Sequence, residues 1–80
     1  MKIKQAIQIG DNVTDIMKLP CVTSCVKHYD GNGFEWLVYM VECGADGSIE
    51  PVEKHDRLVE DENGIWHAMT DEGYRQIKSD

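Results

Sequence analysis

Three cysteines and three histidines are the residues of this 80-residue chain best suited to metal or nucleophilic chemistry. Cys21, Cys25 and His28, with Cys43 as a fourth donor, have the residue types of a tetrahedral zinc site, where sulfur and imidazole ligands converge on one ion. Their spacing argues against it. The pair is not C-x2-C, and if Cys21 to Tyr29 forms a strand, a rise of ~3.3 Å per residue sets the two sulfurs' residues ~13 Å apart and turns His28 to the other face. Small buried thiols beside a surface histidine fit the pattern better, so no metal and no cofactor are expected. A Cys–His nucleophile needs thiol and imidazole side by side with a third group orienting the base, and His28, His55 and His67 are scattered. Hairpin pairing would place His67 across from Glu60. In a cleft that pair would be a general-base candidate; on a hairpin rim it is worth a few tenths of a kcal/mol. No catalytic residue is assigned.

Other chemistries leave no trace. An EF-hand loop begun at Asp30 would put Phe34 and Val41 in ligand positions, and one begun at Asp61 would put Ile65 there. The chain contains no G-x-G-x-x-G, no G-x-x-x-x-G-K-[ST], no G-x-S-x-G and no H-E-x-x-H.

The net charge of −7 is uneven, with ten acids between Glu42 and Glu72 against only Lys54 and Arg57. Phosphate backbones need clustered lysine and arginine, so direct nucleic-acid binding is disfavoured and a protein partner fits better. The longest apolar run is Trp36 to Val41, far short of a membrane span. With no apolar stretch suited to a signal peptide near the start and an odd number of cysteines, a cytoplasmic chain with free thiols is expected. Eighty residues make one small domain, 1–80, with a thin core that dimerisation would strengthen, so a homodimer is among the expectations.

The elements that must position these side chains follow from periodicity. "KIKQAIQIG" alternates as a half-buried strand does. Asp11 or Asn12 caps a helix running from about Asp11 to Lys18, with Val13, Ile16 and Met17 as its apolar stripe, and Pro20 ends it. Cys21 to Tyr29 and "FEWLVYMVEC" flank "DGNG" as a hairpin. In the second of these runs Phe34, Trp36, Val38 and Met40 share one face and Leu37, Tyr39, Val41 and Cys43 the other, which predicts a central strand covered on both sides. An odd-length "GNG" loop would set Cys43 opposite Cys21, within reach of a disulfide under oxidation. Asp46-Gly47 turns the chain again, and Pro51 marks "IEPVE" as an edge strand or an irregular return. With Asn63-Gly64 as a two-residue hairpin loop, Glu62 faces Ile65, Glu60 faces His67, Val59 faces Ala68 and Leu58 faces Met69. Thr70 caps a last helix, "DEGYRQIKS", weakened by Gly73. The predicted fold is α+β: an antiparallel sheet of four or five strands in hairpin order, with a short N-terminal and a short C-terminal helix.

The segment "HDRLVEDENGIWHAMTDEGY" resembles the C-terminal part of small phage, prophage and mobile-element proteins of bacteria. In those a Gly-Asp step opens a strand, a "DENGxW" turn follows, and an acidic helix closes the chain. Asp56 matches the step, Asp61, Glu62, Asn63, Gly64 and Trp66 the turn, and Asp71, Glu72 and Tyr74 the helix start. His55 stands where glycine is usual and Arg57 where tryptophan is common. The resemblance covers a quarter of the chain and implies a bacterial mobile-element origin without an activity. The sequence thus points to a non-catalytic binding or accessory protein presenting Glu60, Asp61, Glu62, Trp66 and His67 to a protein partner. Trp66 is the expected contact anchor and Trp36 the expected core residue. An inhibitor imitating nucleic acid, or a small enzyme or metal protein using Cys25 and His28, are the alternatives.

Overall fold

A computed structural model describes residues 2–78. Six strands and two helices follow in the order β1 (Ile3–Gln8), α1 (Val13–Met17), β2 (Val22–Tyr29), β3 (Glu35–Cys43), β4 (Ser48–Glu53), β5 (Arg57–Asp61), β6 (Trp66–Met69) and α2 (Asp71–Lys78). The α+β class is as the periodicity predicts. The single hairpin-ordered sheet is not: the strands form two three-stranded antiparallel sheets, β2-β3-β4 and β1-β5-β6. We call them the meander sheet and the closing sheet. β1 bypasses its chain neighbours and pairs with β5, setting Ile7 opposite Leu58 and Ala6 opposite Val59. Alternation tells that β1 is a strand, but nothing local tells which edge it joins.

The core lies between the two sheets. Tyr39, Val41, Cys43 and Val52 of the meander sheet meet Ile9, Leu58 and Trp66 from the closing side, with Ile16 and Cys21 filling in. A backbone bond, Gly44 N–H to the Trp66 carbonyl at 2.8 Å, fastens the end of β3 to β6. α1 is shorter than its expected span. Only Ile16 of its stripe is buried, while Val13 and Met17 are exposed. Asn12 stands at the cap position without capping: its Oδ1 accepts from Gly10 N–H at 2.9 Å and its Nδ2 donates to the Gln8 carbonyl at 3.2 Å. The side chain locks the β1–α1 corner instead of the helix start.

The β2–β3 and β5–β6 loops are built alike. Asp30 and Asp61 each accept two backbone N–H groups through Oδ1, from Asn32 and Phe34 in one case and from Asn63 and Ile65 in the other. In each, the aspartate N–H also donates to the carbonyl four residues on. The loop after β5 therefore has three residues, 62–64, and not the two expected. Glu60 pairs with Trp66, Val59 with His67, Leu58 with Ala68 and Arg57 with Met69, one step from the predicted register. An aspartate that satisfies the amides of both following turn residues, with Gly64 at φ 81°, favours the type I turn plus left-handed glycine over the two-residue turn. One step of slip exchanges faces, and it carries Trp66 inward beside Leu58.

Pro51 is opposite Met40 on the edge strand β4, where a missing N–H costs no ladder bond. β2 is the other edge of the meander sheet. Between β4 and β5, Asp56 N–H donates to the Glu53 carbonyl at 3.0 Å, and His55 takes φ 82°, the conformation a type II turn asks of its third residue. Thr70 caps α2, accepting Gly73 N–H through Oγ1 at 3.0 Å. A Cβ on Gly73 would stand 3.2 Å from that oxygen, so the glycine keeps the cap uncrowded. The expected extension of this helix to Ser79 lies outside the described residues.

Candidate functional site

The thiols do not assemble. Cys21 and Cys43 are buried in the core and Cys25 is half-buried. Cys43 is not opposite Cys21, because a bulge in β2 between Val22 and Ser24 shifts the pairing, and Glu42 N–H donates to the Cys21 carbonyl at 2.8 Å. Burial pushes the Cys21 thiol up to about 11 and raises Cys43, which also feels the Glu50 carboxylate. Buried neutral thiols are poor nucleophiles. Among the described residues no three His, Cys, Asp or Glu side chains stand close enough to share a metal ion.

The acidic hairpin is largely occupied with its own structure. His67 Nε2 lies 2.9 Å from Asp61 Oδ2, so its partner is Asp61 and not Glu60. That contact, with the loop amides, holds the Asp61 carboxyl below its ordinary value. Glu60 instead accepts Gln5 Nε2 at 2.7 Å across the β1–β5 pairing. Trp66, the expected anchor, is 7 % exposed and packs in the core. Of the five expected contact residues only Glu62 is freely exposed, and Asp61, Glu60 and His67 are partly covered. The two tryptophans have exchanged their expected places: Trp36 is the half-exposed one.

Trp36 belongs to a different surface. The β2–β3 pairing and the β3–β4 pairing put Val26, His28, Trp36, Val38, Met40, Ile49 and Pro51 on the side of the meander sheet away from the core. His28 and Trp36 stack at 5.7 Å between centroids, and Phe34 tilts against Trp36 at 5.9 Å. Val26 is 45 % and Ile49 49 % exposed, and Phe34 more so. Val38, in the middle, is buried by these neighbours. The prediction that β3 is covered on both sides is therefore corrected: its central position is right, and one face has no cover within the described residues. Sequence reasoning placed Trp36 and Val38 together on a face but had no signal for which of two apolar faces the small core would claim.

Around the start of β3, reaching to the core side of the sheet, the structure has a groove of about 330 Å³ lined by Ile9, Val13, Trp36, Leu37, Tyr39 and Lys54 among others. A second recess, about 400 Å³, lies between Phe34, Trp36 and the Glu53–His55 turn. Lys54 is held to Asp11 at 3.6 Å. Tyr39 is wholly buried, its hydroxyl has no hydrogen-bond partner, and burial raises its pKa.

Fold and surface together define a small two-sheet α+β protein with one sheet face left open. Comparison of the chain with protein-family models, with curated proteins and with solved structures returns no match. No helix among the described residues is long and apolar enough to cross a membrane.

Proposed function

We propose that the protein is a non-catalytic binding module that docks a protein partner on the open face of the meander sheet. The observation that carries this is the pairing of half-exposed Trp36 with exposed Val26, Phe34 and Ile49 on one contiguous sheet surface. Aromatic and aliphatic side chains gathered on one exposed surface supply what a contact core needs, because their transfer out of water drives association and a tryptophan is a frequent anchor.

The test compares the native chain with a Val26→Glu/Ile49→Glu variant as baits in partner capture from a cell lysate. Both positions are exposed edge-strand residues, and unchanged circular dichroism would establish that the variant folds. A partner held by the native chain and lost by the variant supports the reading. Equal capture by both, or capture abolished only by changes at Glu60 to His67, sinks it.

A further inference from the structure

We propose that the open face of the meander sheet receives a cationic amphipathic α-helix, an inference that rests on reading that face as the docking surface. The protein already covers a sheet in this way. On the closing sheet the side away from the core carries Val59, wholly buried, and α2 lies there with Tyr74 under the Arg57 guanidinium, 4.6 Å from the ring centroid. The Arg57–Asp71 ion pair at 2.9 Å ties the helix to β5, and Arg75 meets the same carboxylate at 3.0 Å from one turn further along α2. The meander sheet has the same three antiparallel strands and a comparable apolar row on its outer face, but among the described residues no helix lies on that face.

The dimensions suit a short helix. From Phe34 to Met40 the row on β3 spans ~20 Å at ~3.3 Å per residue, which is the length of a helix of about 13 residues. The charge decides the helix's chemistry. The acids among positions sharing this face are Glu42, beside Ile49, and Glu53, beside Val38; no lysine or arginine stands on the face itself, and Lys54, at the rim of the recess beside Trp36, is paired with Asp11. An apolar row bordered by carboxylates complements an apolar stripe bordered by Lys or Arg. The same border disfavours a second copy: two such faces stacked together would press Glu42 and Glu53 of one against those of the other, on chains that each carry −7.

The probe is a synthetic amphipathic Leu/Lys helix of about 14 residues, matched to the length of the row. Two controls accompany it: a Leu/Glu peptide with the same leucine positions and a Leu/Lys peptide of scrambled order. Methyl and indole NMR signals of the native chain report the site. The expected result is that the Leu/Lys helix shifts Val26, Val38, Met40, Ile49 and the Trp36 indole, and binds at least about tenfold more tightly than the scrambled peptide. Val26→Ser/Ile49→Ser, which leaves the charge untouched, should weaken it by a similar factor, Glu42→Gln/Glu53→Gln by about fivefold, and Glu62→Gln/Glu72→Gln by very little. Shifts confined to the hairpin at Glu60–Glu62, or equal weakening by both pairs of Glu→Gln changes, would mean attraction to net charge alone and overturn the inference. Equal binding of the Leu/Glu helix on the same methyls would overturn the cationic partner while leaving the docking face standing. Sedimentation as a dimer that Val26→Ser/Ile49→Ser dissociates would make the occupant a second copy and overturn it as well. Binding by none of the peptides overturns the helix, and the capture experiment decides the docking face separately.

Discussion

Val59 and Val38 occupy equivalent places. Each is midway along the central strand of a three-stranded antiparallel sheet, on the side turned from the shared core. Val59 has a helix on its side, Tyr74 beneath Arg57, and no exposed surface. Val38 is shielded only by the side chains beside it, and Val26 and Ile49 on the same face meet water. Among the described residues one sheet is thus roofed on its outer side and the other is not. A domain of this size has too few helical residues to roof two sheets, so its apolar surplus collects on one face. The difference teaches that an apolar strand face in a short chain is not by itself evidence of a core position.

The comparison can be broken most forcefully at Tyr74. Tyr74→Ala removes most of the roof over the closing sheet and should cost roughly 3 kcal/mol in chemical denaturation, with α2 amides losing protection in hydrogen exchange. A loss near zero would mean that the helix covers nothing that matters. Next comes the valine pair. Val59→Ala should destabilise by about 2 kcal/mol and Val26→Ala by less than about 0.5, since only the first leaves a cavity. Equal values from urea titration would erase the distinction between roofed and open faces. The two aspartate loops sharpen it at a finer scale. Gly33 and Gly64 both have positive φ, 88° and 81°, so Gly→Ala at either site should cost about 1 kcal/mol by thermal melting. A much larger loss at Gly64 would indicate that its loop is coupled to the Asp61–His67 contact. The smallest effect is expected in acid. The Asp61 carboxyl is depressed in the folded state, so its contribution is complete above the unfolded value and disappears as pH falls through the lower folded one. The stability gap between the native chain and Asp61→Asn should therefore shrink below about pH 4, and a gap that stays constant from pH 6 to pH 3 would contradict the assignment.

Much of the architecture could be read from local pattern. The odd-length loop at Gly31–Gly33, Pro51 on an edge, Thr70 as a cap and the division of β3 into two apolar faces all follow from residue type and spacing, while the chain reversal expected at Asp46-Gly47 is a four-residue loop, Gly44 to Gly47, with positive φ at its two glycines. What escaped depends on distant contacts or on single side chains. β1 joins β5 across some fifty residues of chain, a pairing that alternation cannot specify. Asp61 lengthens its loop by one residue through two hydrogen bonds, and in the resulting register Trp66 lies in the core, where a choice made on nearness to the chain end had not put it. The bulge in β2 likewise separated Cys21 from Cys43. The candidate surface was half legible: its residues were grouped correctly on one face, yet were assigned to the interior, and the hairpin chosen in their stead proved to be bound up with its own turn. His55 presents the opposite case. Its φ of 82° is what glycine takes most easily, yet a histidine stands there.

The open margin of β2 has a consequence for handling the protein in solution. Eight residues of strand, Val22–Tyr29, end the meander sheet with a row of peptide groups facing outward, interrupted by one basic side chain, Lys27. Such a margin is a template onto which another molecule's strand can grow, and mutual repulsion between like-charged molecules is what restrains it. With an isoelectric point near 4.7, mild acid removes that restraint. Fibrous precipitation beginning at this margin should set in there before the globular fold is lost, and a second lysine in place of Val26 should delay it.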